Sequence, residues 1–236
     1  MLQGKAILVV DDEPDLREIL CDEFQLEGAE VNNAPNGQEA LKKVEANPPD
    51  IVVSDLRMPG GDGVTLAKEL KNRNAVSPLV VLMTGFADLT AEEAYEIGAE
   101  GFMTKPFHLE SVRENLSRLL MPSRERWAQT PFKAPAKTVS ESADTFRAQP
   151  ASSYLARGGM FWPGERLPVR VGDEVSFDAG HHLKGTAIVR WVRSSGQNGR
   201  GPGMGLEFMS LAPESLIWVE EQLLDLKPVA FLPRGF

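Results

Sequence analysis

Cysteine is nearly absent: Cys21 is the one thiol in 236 residues, so no intramolecular disulfide can form. A lone thiol of this kind, read as helix packing, fits a reducing compartment. Long apolar runs are missing too. Nothing approaches the roughly 18 consecutive apolar residues that a membrane-spanning helix needs, and the chain opens on charged, periodic sequence without a signal-peptide pattern. No membrane insertion and a cytoplasmic location are therefore expected. An excess of basic charge is also lacking. Residues 1–121 carry 11 Lys and Arg against 22 Asp and Glu, a balance of −11, which leaves 14 against 12, or +2, for residues 122–236. Neither half matches duplex DNA, where phosphate neutralisation supplies much of the affinity. Histidine is scarce, and its one adjacent pair, His181 and His182, would point to opposite faces of a strand, so a polar turn is expected there and not a metal site. The glycines between Gly196 and Gly205 lack the following Lys-Ser/Thr and helix of a phosphate loop and read as a hairpin connection. The second half shows no nucleophile–base pair, metal-ligand spacing or helix-turn-helix, so neither an enzyme nor a transcription factor is expected from it.

What is present begins with alternation. Ala6–Val10, Ile51–Ser54 and Pro78–Thr84 are short continuous apolar runs, the mark of parallel strands buried on both faces. Between them lie amphipathic stretches. One opens at Pro14 and continues through Leu16, Ile19, Leu20 and Phe24 at helical spacing; others run over 38–46, 64–72, 90–97 and 109–120. Five βα units predict a doubly wound, five-stranded parallel sheet with its ligand site at the C-terminal strand ends. From Pro122 to about Pro150 the texture turns to Pro, Ala, Ser, Thr and Lys, as in a linker that can include a first strand. Beyond it, SYLARGGMFW, DEVSFD, TAIVRWVR and MGLEFMS read as strands of an antiparallel barrel, with Trp162, Trp191 and Trp218 as core. Pro213 then opens a helix with an apolar stripe of Leu216, Ile217, Val219, Leu223 and Leu224. The expected division is 1–121, a linker over 122–150, and 151–236.

The acids carry the chemistry. Asp11 and Asp12 end the first strand and Asp55 ends the third, and the winding brings all three to one edge. Carboxylates gathered there repel one another and call for a cation; a hard ion such as Mg2+, held by one or two carboxylates plus waters and phosphate oxygens, suits these ligands. A carboxylate beside such an ion can attack a phosphoryl donor in line, which gives Asp55 a nucleophilic role. Thr84 in MTG offers a hydroxyl and Lys105 in TKPF an ammonium to the phosphoryl oxygens. The Lys105–Pro106 bond is the expected cis peptide, because X-Pro bonds tolerate cis. Gly60, Gly61 and Gly63 simply make the turn into the third helix.

The stretches ILVVDDEPD, DIVVSDLRMPGGDG, VVLMTGF and GFMTKPF resemble the signature segments of the receiver domain of two-component response regulators, over about residues 4–121. The resemblance implies a flavodoxin-like fold, metal binding by Asp11, Asp12, Asp55 and the backbone carbonyl of Arg57, phosphorylation of Asp55 by a sensor histidine kinase, and phosphate contacts from Thr84 and Lys105. It also implies a switch in which Thr84 moves inward and Phe102 fills the vacated space, reshaping an output face that can support homodimerisation. The protein is thus expected to be a phosphoacceptor and not an enzyme.

In the second half, LARGGMFW, VGDEVSF, GTAIVRWV and GPGMGLEF, followed by a helix, resemble a PilZ domain, a family many of whose members bind cyclic di-GMP. The family's Asp/Asn-x-Ser-x-x-Gly motif falls on Tyr154, Ala156 and Gly159, and only the glycine agrees. Its Arg-x-x-x-Arg pair meets Lys133 and Lys137, which lack the planar fork of arginine. The main expectation is an output domain that binds an unidentified protein. Arg147, Arg157 and Gly159 are the contacts for the alternative, cyclic di-GMP binding through a non-standard site.

Overall fold

The computed structural model describes residues 2–85, 89–129, 135, 137–140, 151–164, 169–180, 183–194 and 200–235. The chain divides into two compact units, Met1–Met121 and Pro122–Phe236. The first runs β1 (Ala6–Val10), α1 (Pro14–Leu26), β2 (Glu30–Ala34), α2 (Gly37–Ala46), β3 (Ile51–Asp55), α3 (Gly63–Arg73), β4 (Leu79–Thr84), α4 (Ala91–Glu96), β5 (Gly101–Thr104) and α5 (Leu109–Leu120). Its strands are all parallel, in the order β2-β1-β3-β4-β5. The apolar runs of β1, β3 and β4 are buried throughout their centres because helices cover both faces of the sheet. The order of winding reverses between β1 and β3, and the crevice beyond their C-terminal ends is where such folds place a site.

Local signals set the helix starts. Asn36 accepts from the Glu39 N–H (2.9 Å), Asp62 from the Thr65 N–H (2.7 Å), and Thr90 and Glu93 form a reciprocal capping box at α4. The Lys105–Pro106 peptide is cis, as is Ser77–Pro78, which the sequence reading does not anticipate. At the opposite, N-terminal edge of the sheet lies a buried ion pair. Lys71 Nζ sits 2.7 Å from Glu100 Oε1 and also donates to the Pro78 carbonyl at 2.8 Å, while Glu100 Oε2 accepts from the Val80 N–H at 2.7 Å.

The second unit contains α6 (Ser123–Trp127), β6 (Lys137–Ser140), α7 (Ala151–Tyr154), β7 (Leu155–Ala156), β8 (Gly159–Pro163), β9 (Glu174–Asp178), β10 (Lys184–Arg193), β11 (Gly203–Leu211) and α8 (Pro213–Leu226). The strands form one sheet ordered β6-β9-β10-β11-β8-β7. Three expectations change here. The pairings are antiparallel except β6–β9, which is parallel, and among the described residues β6 and β7 remain edges, so the ladder does not close into a barrel. Parallel neighbours need a crossover, and the chain between β6 and β9 provides it by crossing to the far edge as β7 and β8. Part of the supposed linker is structured: α6 buries Trp127 edge-on against Phe208, with ring centroids 5.7 Å apart. Finally, the stripe of α8 is split. Leu216 and Val219 are buried toward β11, whereas Ile217 and Leu224, two turns apart, are exposed, because a helix docked on a sheet buries only one face.

Trp162 and Trp191 are core, while Trp218 is half-buried. In β10 a register shift between Val189 and Trp191 re-aims the strand, so that Trp191 stacks on Phe161 and lies over Gly205.

Candidate functional site

The crevice beyond β1 and β3 is built from strand ends. Asp11 follows β1 and is fully buried; Asp55 closes β3 and is 7% exposed; Thr84 closes β4 and is buried. Lys105 arrives from the end of β5, where its backbone N–H donates to the Thr84 carbonyl at 2.6 Å. Its ammonium lies 2.6 Å from Asp55 Oδ1 and 3.0 Å from Asp11 Oδ2, so one cation touches both carboxylates. The second oxygen of each acid is held by backbone: Glu13 N–H donates to Asp11 Oδ1 at 2.9 Å and Arg57 N–H to Asp55 Oδ2 at 2.8 Å. Those bonds fix the direction in which each carboxylate points.

Other predicted members are placed less centrally. Asp12 and the Arg57 side chain lie exposed at the rim. Phe102, in β5, is half-buried and packs against the core cluster that contains Leu82 and Ala99. Sequence reasoning missed three contributors. Glu13 brings a further carboxylate to 3.6 Å from Lys105, and the unbroken acidic run after β1 was its signal. Arg17, one turn into α1, donates to the Asp11 carbonyl at 2.5 Å. Gly63 does more than turn the chain. A Cβ there would lie 2.2 Å from the Asp55 carbonyl oxygen, so only glycine allows α3 to start against the end of β3.

Charge in the crevice is unbalanced. Burial pushes the Asp11 carboxyl above its ordinary range; the Glu13 N–H and the Lys105 ammonium offset this only in part, and the Asp55 charge adds to it. For Lys105, burial alone would lower the ammonium, but hydrogen bonds to Asp55 and Asp11 outweigh it and leave it above the usual lysine value. Among the described residues no three Asp, Glu, His or Cys side chains converge closely enough to hold a metal ion alone. Two convergent carboxylates that share one ammonium nevertheless fit a hard cation that keeps part of its water shell.

Of the nucleotide candidates of the second unit, the two described ones, Arg157 and Gly159, are engaged in internal contacts. Arg147, like Lys133, His181 and His182, lies outside the described residues. Arg157 is turned to the chain's last residues: its Nε donates to the Val229 carbonyl at 3.1 Å and its guanidinium lies 5.8 Å from the Phe231 ring centroid. Gly159 is backbone packing, since a Cβ there would be 1.8 Å from the Leu206 carbonyl oxygen of β11.

A parallel, doubly wound sheet with an acidic, lysine-bridged crevice at its switch point defines an α/β domain suited to a cation and a phosphoryl group. The family model described as the response regulator receiver domain matches residues 7–117. The Sporulation initiation phosphotransferase F of Bacillus subtilis is 32% identical over 120 residues, covering 50% of this chain and 96% of that protein. Regulatory protein AtoC of Escherichia coli is 40% identical over 115 residues, 48% of this chain and 25% of that protein. A solved response regulator of Thermotoga maritima, in complex with Mg2+-BeF, is 36% identical with a TM-score of 0.43, covering 49% of this chain and 98% of that one. The chain belongs to the response regulator receiver family, signalling domains of two-component systems that are phosphorylated on aspartate. It spans a quarter to a half of the length of the regulatory proteins it matches.

Proposed function

We propose that Asp55 accepts a phosphoryl group from a phosphohistidine on a sensor histidine kinase. An oxygen of Asp55 attacks phosphorus in line, the P–N bond to the donor imidazole breaks, and an acyl phosphate remains on Asp55. The carrying observation is the ammonium of Lys105, 2.6 Å from Asp55 and 3.0 Å from Asp11. It is placed to release Asp55 for attack and to take up a phosphoryl oxygen afterwards. Asp11, Asp12, Asp55 and the Arg57 carbonyl are the residues that would hold Mg2+, which when bound supplies neutralisation of the charge that builds up on the phosphoryl oxygens. The Thr84 hydroxyl then donates to a phosphoryl oxygen, and Phe102 follows into the space it leaves, altering the surface of α4, β5 and α5 and its capacity for self-association. Asp55→Asn should abolish labelling by a phosphorylated kinase or a small phosphodonor while leaving circular dichroism unchanged; undiminished labelling refutes the assignment.

Residues 151–236 are read as a PilZ-like output domain, with 122–150 as its connection, that acts by binding a partner protein. Strands β8 to β11 followed by α8 support this order, and the internal contacts of Arg157 and Gly159 weigh against nucleotide binding at those residues. Calorimetric titration with cyclic di-GMP, with and without beryllofluoride on Asp55, tests it: saturable binding in either state overturns the reading.

A further inference from the structure

We propose that the outward face of α8 docks a basic amphipathic helix of another protein. The inference rests on the reading of the second unit as a protein-interaction module and does not depend on phosphorylation of Asp55. α8 is apolar on two sides. Its inner side buries Leu216 and Val219 toward β11. Its outer side exposes Ile217 by 55% and Leu224 by 72%. Seven residues apart, these two side chains stand in one row about 10 Å long, the footprint of two helical turns. A surface helix ordinarily presents polar residues there, and a paired apolar row marks a contact surface.

Charge selects the occupant. The helix sequence PESLIWVEEQLLDL has four acids and no Lys or Arg, and Glu214, Glu221 and Asp225 are exposed along one border of the row. Across the other border Glu220 pairs with Arg124 of α6 at 2.9 Å. Such a rim repels anionic lipid and nucleic acid. It also disfavours a second α8, whose acids would face these across a twofold axis. A helix with two apolar residues at i and i+7 and Lys or Arg beside them complements both features.

The test uses the full chain and a dye-labelled helical peptide of about 18 residues, long enough for stable turns, with a Leu row flanked by Lys; a second peptide carries Glu in place of Lys. Fluorescence anisotropy should show saturable binding of the Lys peptide that weakens with salt, and none of the Glu peptide. The double variant I217S/L224S, whose side chains are already exposed and whose fold is checked by circular dichroism, should lose on the order of tenfold or more in affinity per side chain. Binding that survives in the double variant is general attraction to an acidic protein and overturns the proposal, as does absence of saturable binding. A concentration-dependent dimer of the wild type that disappears in I217S/L224S overturns it as well, assigning the face to a second copy. Parallel titration with cyclic di-GMP keeps the two readings apart. Nucleotide binding removes the interaction-module reading, whereas peptide failure without nucleotide binding removes only α8 as its surface.

Discussion

Replacing Lys71 by Met should destabilise the first unit far more than an ordinary charge removal. Both side chains of the Lys71–Glu100 pair are buried, at 0% and 2% exposure, and only 2.7 Å apart. Loss of the ammonium takes from the buried Glu100 carboxylate its cation at 2.7 Å, while the Val80 N–H still donates to it. Breaking a buried pair from one side costs about 3–5 kcal/mol, a large share of the roughly 5–15 kcal/mol that stabilises a domain. The double variant K71M/E100L removes the carboxylate as well, and hydrophobic replacement of a buried pair can return about 1–4 kcal/mol. It also takes the carboxylate from the Val80 N–H and the ammonium from the Pro78 carbonyl, at about 1–3 kcal/mol for each buried group left unmet. The double should therefore lie between K71M and the wild type, recovering about 2 kcal/mol without reaching it. Urea unfolding followed by far-ultraviolet circular dichroism measures this. The four tryptophans, at 127, 162, 191 and 218, all lie in the second unit, so their emission is an internal control that should not move. K71M within about 1 kcal/mol of the wild type, or a double variant as unstable as K71M, would refute the reasoning.

Three further outcomes follow from the geometry. Burial raises Asp11 above the ordinary value of 3.8, so the folded state holds that proton more tightly; stability is lost as pH climbs from the unfolded value through the folded one, and the loss is complete above it. Asn at position 11 cannot titrate, so D11N should gain on the wild type as pH rises through that window in EDTA, and yet label poorly at Asp55; a constant difference across pH in thermal melts would count against this. Gly63→Ala drives a methyl to 2.2 Å from the Asp55 carbonyl oxygen, a backbone atom that cannot swing aside, and should cost about 1–3 kcal/mol or more while slowing phosphorylation, as followed by denaturation and a labelling time course. Arg124→Ala removes a pair whose side chains are 71% and 30% exposed, so it should change stability by less than about 1 kcal/mol; a larger drop in urea unfolding would show that α6 depends on it.

The parts that could be read in advance are those where one rule acts alone. Strands β1, β3 and β4 are buried on both faces, so they appear as unbroken apolar runs, and winding then obliges Asp11, Asp55, Thr84 and Lys105 to meet at one edge whatever lies between them. Where two rules compete, the pattern misleads. Lys71 and Glu100 look like solvated charges because burial of an ion pair depends on contacts between residues 29 apart, which no local period records. Trp127 sits in a stretch whose composition reads as linker, but a five-residue helix is enough to carry one large ring into the sheet's core against Phe208. In α8 the apolar stripe is wider than the surface that one sheet can cover. Five apolar positions cannot all face one sheet at 100° per residue, and the surplus, Ile217 and Leu224, had to emerge on the outside. A helix that keeps such a surplus loses solubility without gaining packing, and the acids along its rim are what make the exposed row tolerable in water and selective toward a partner of opposite charge.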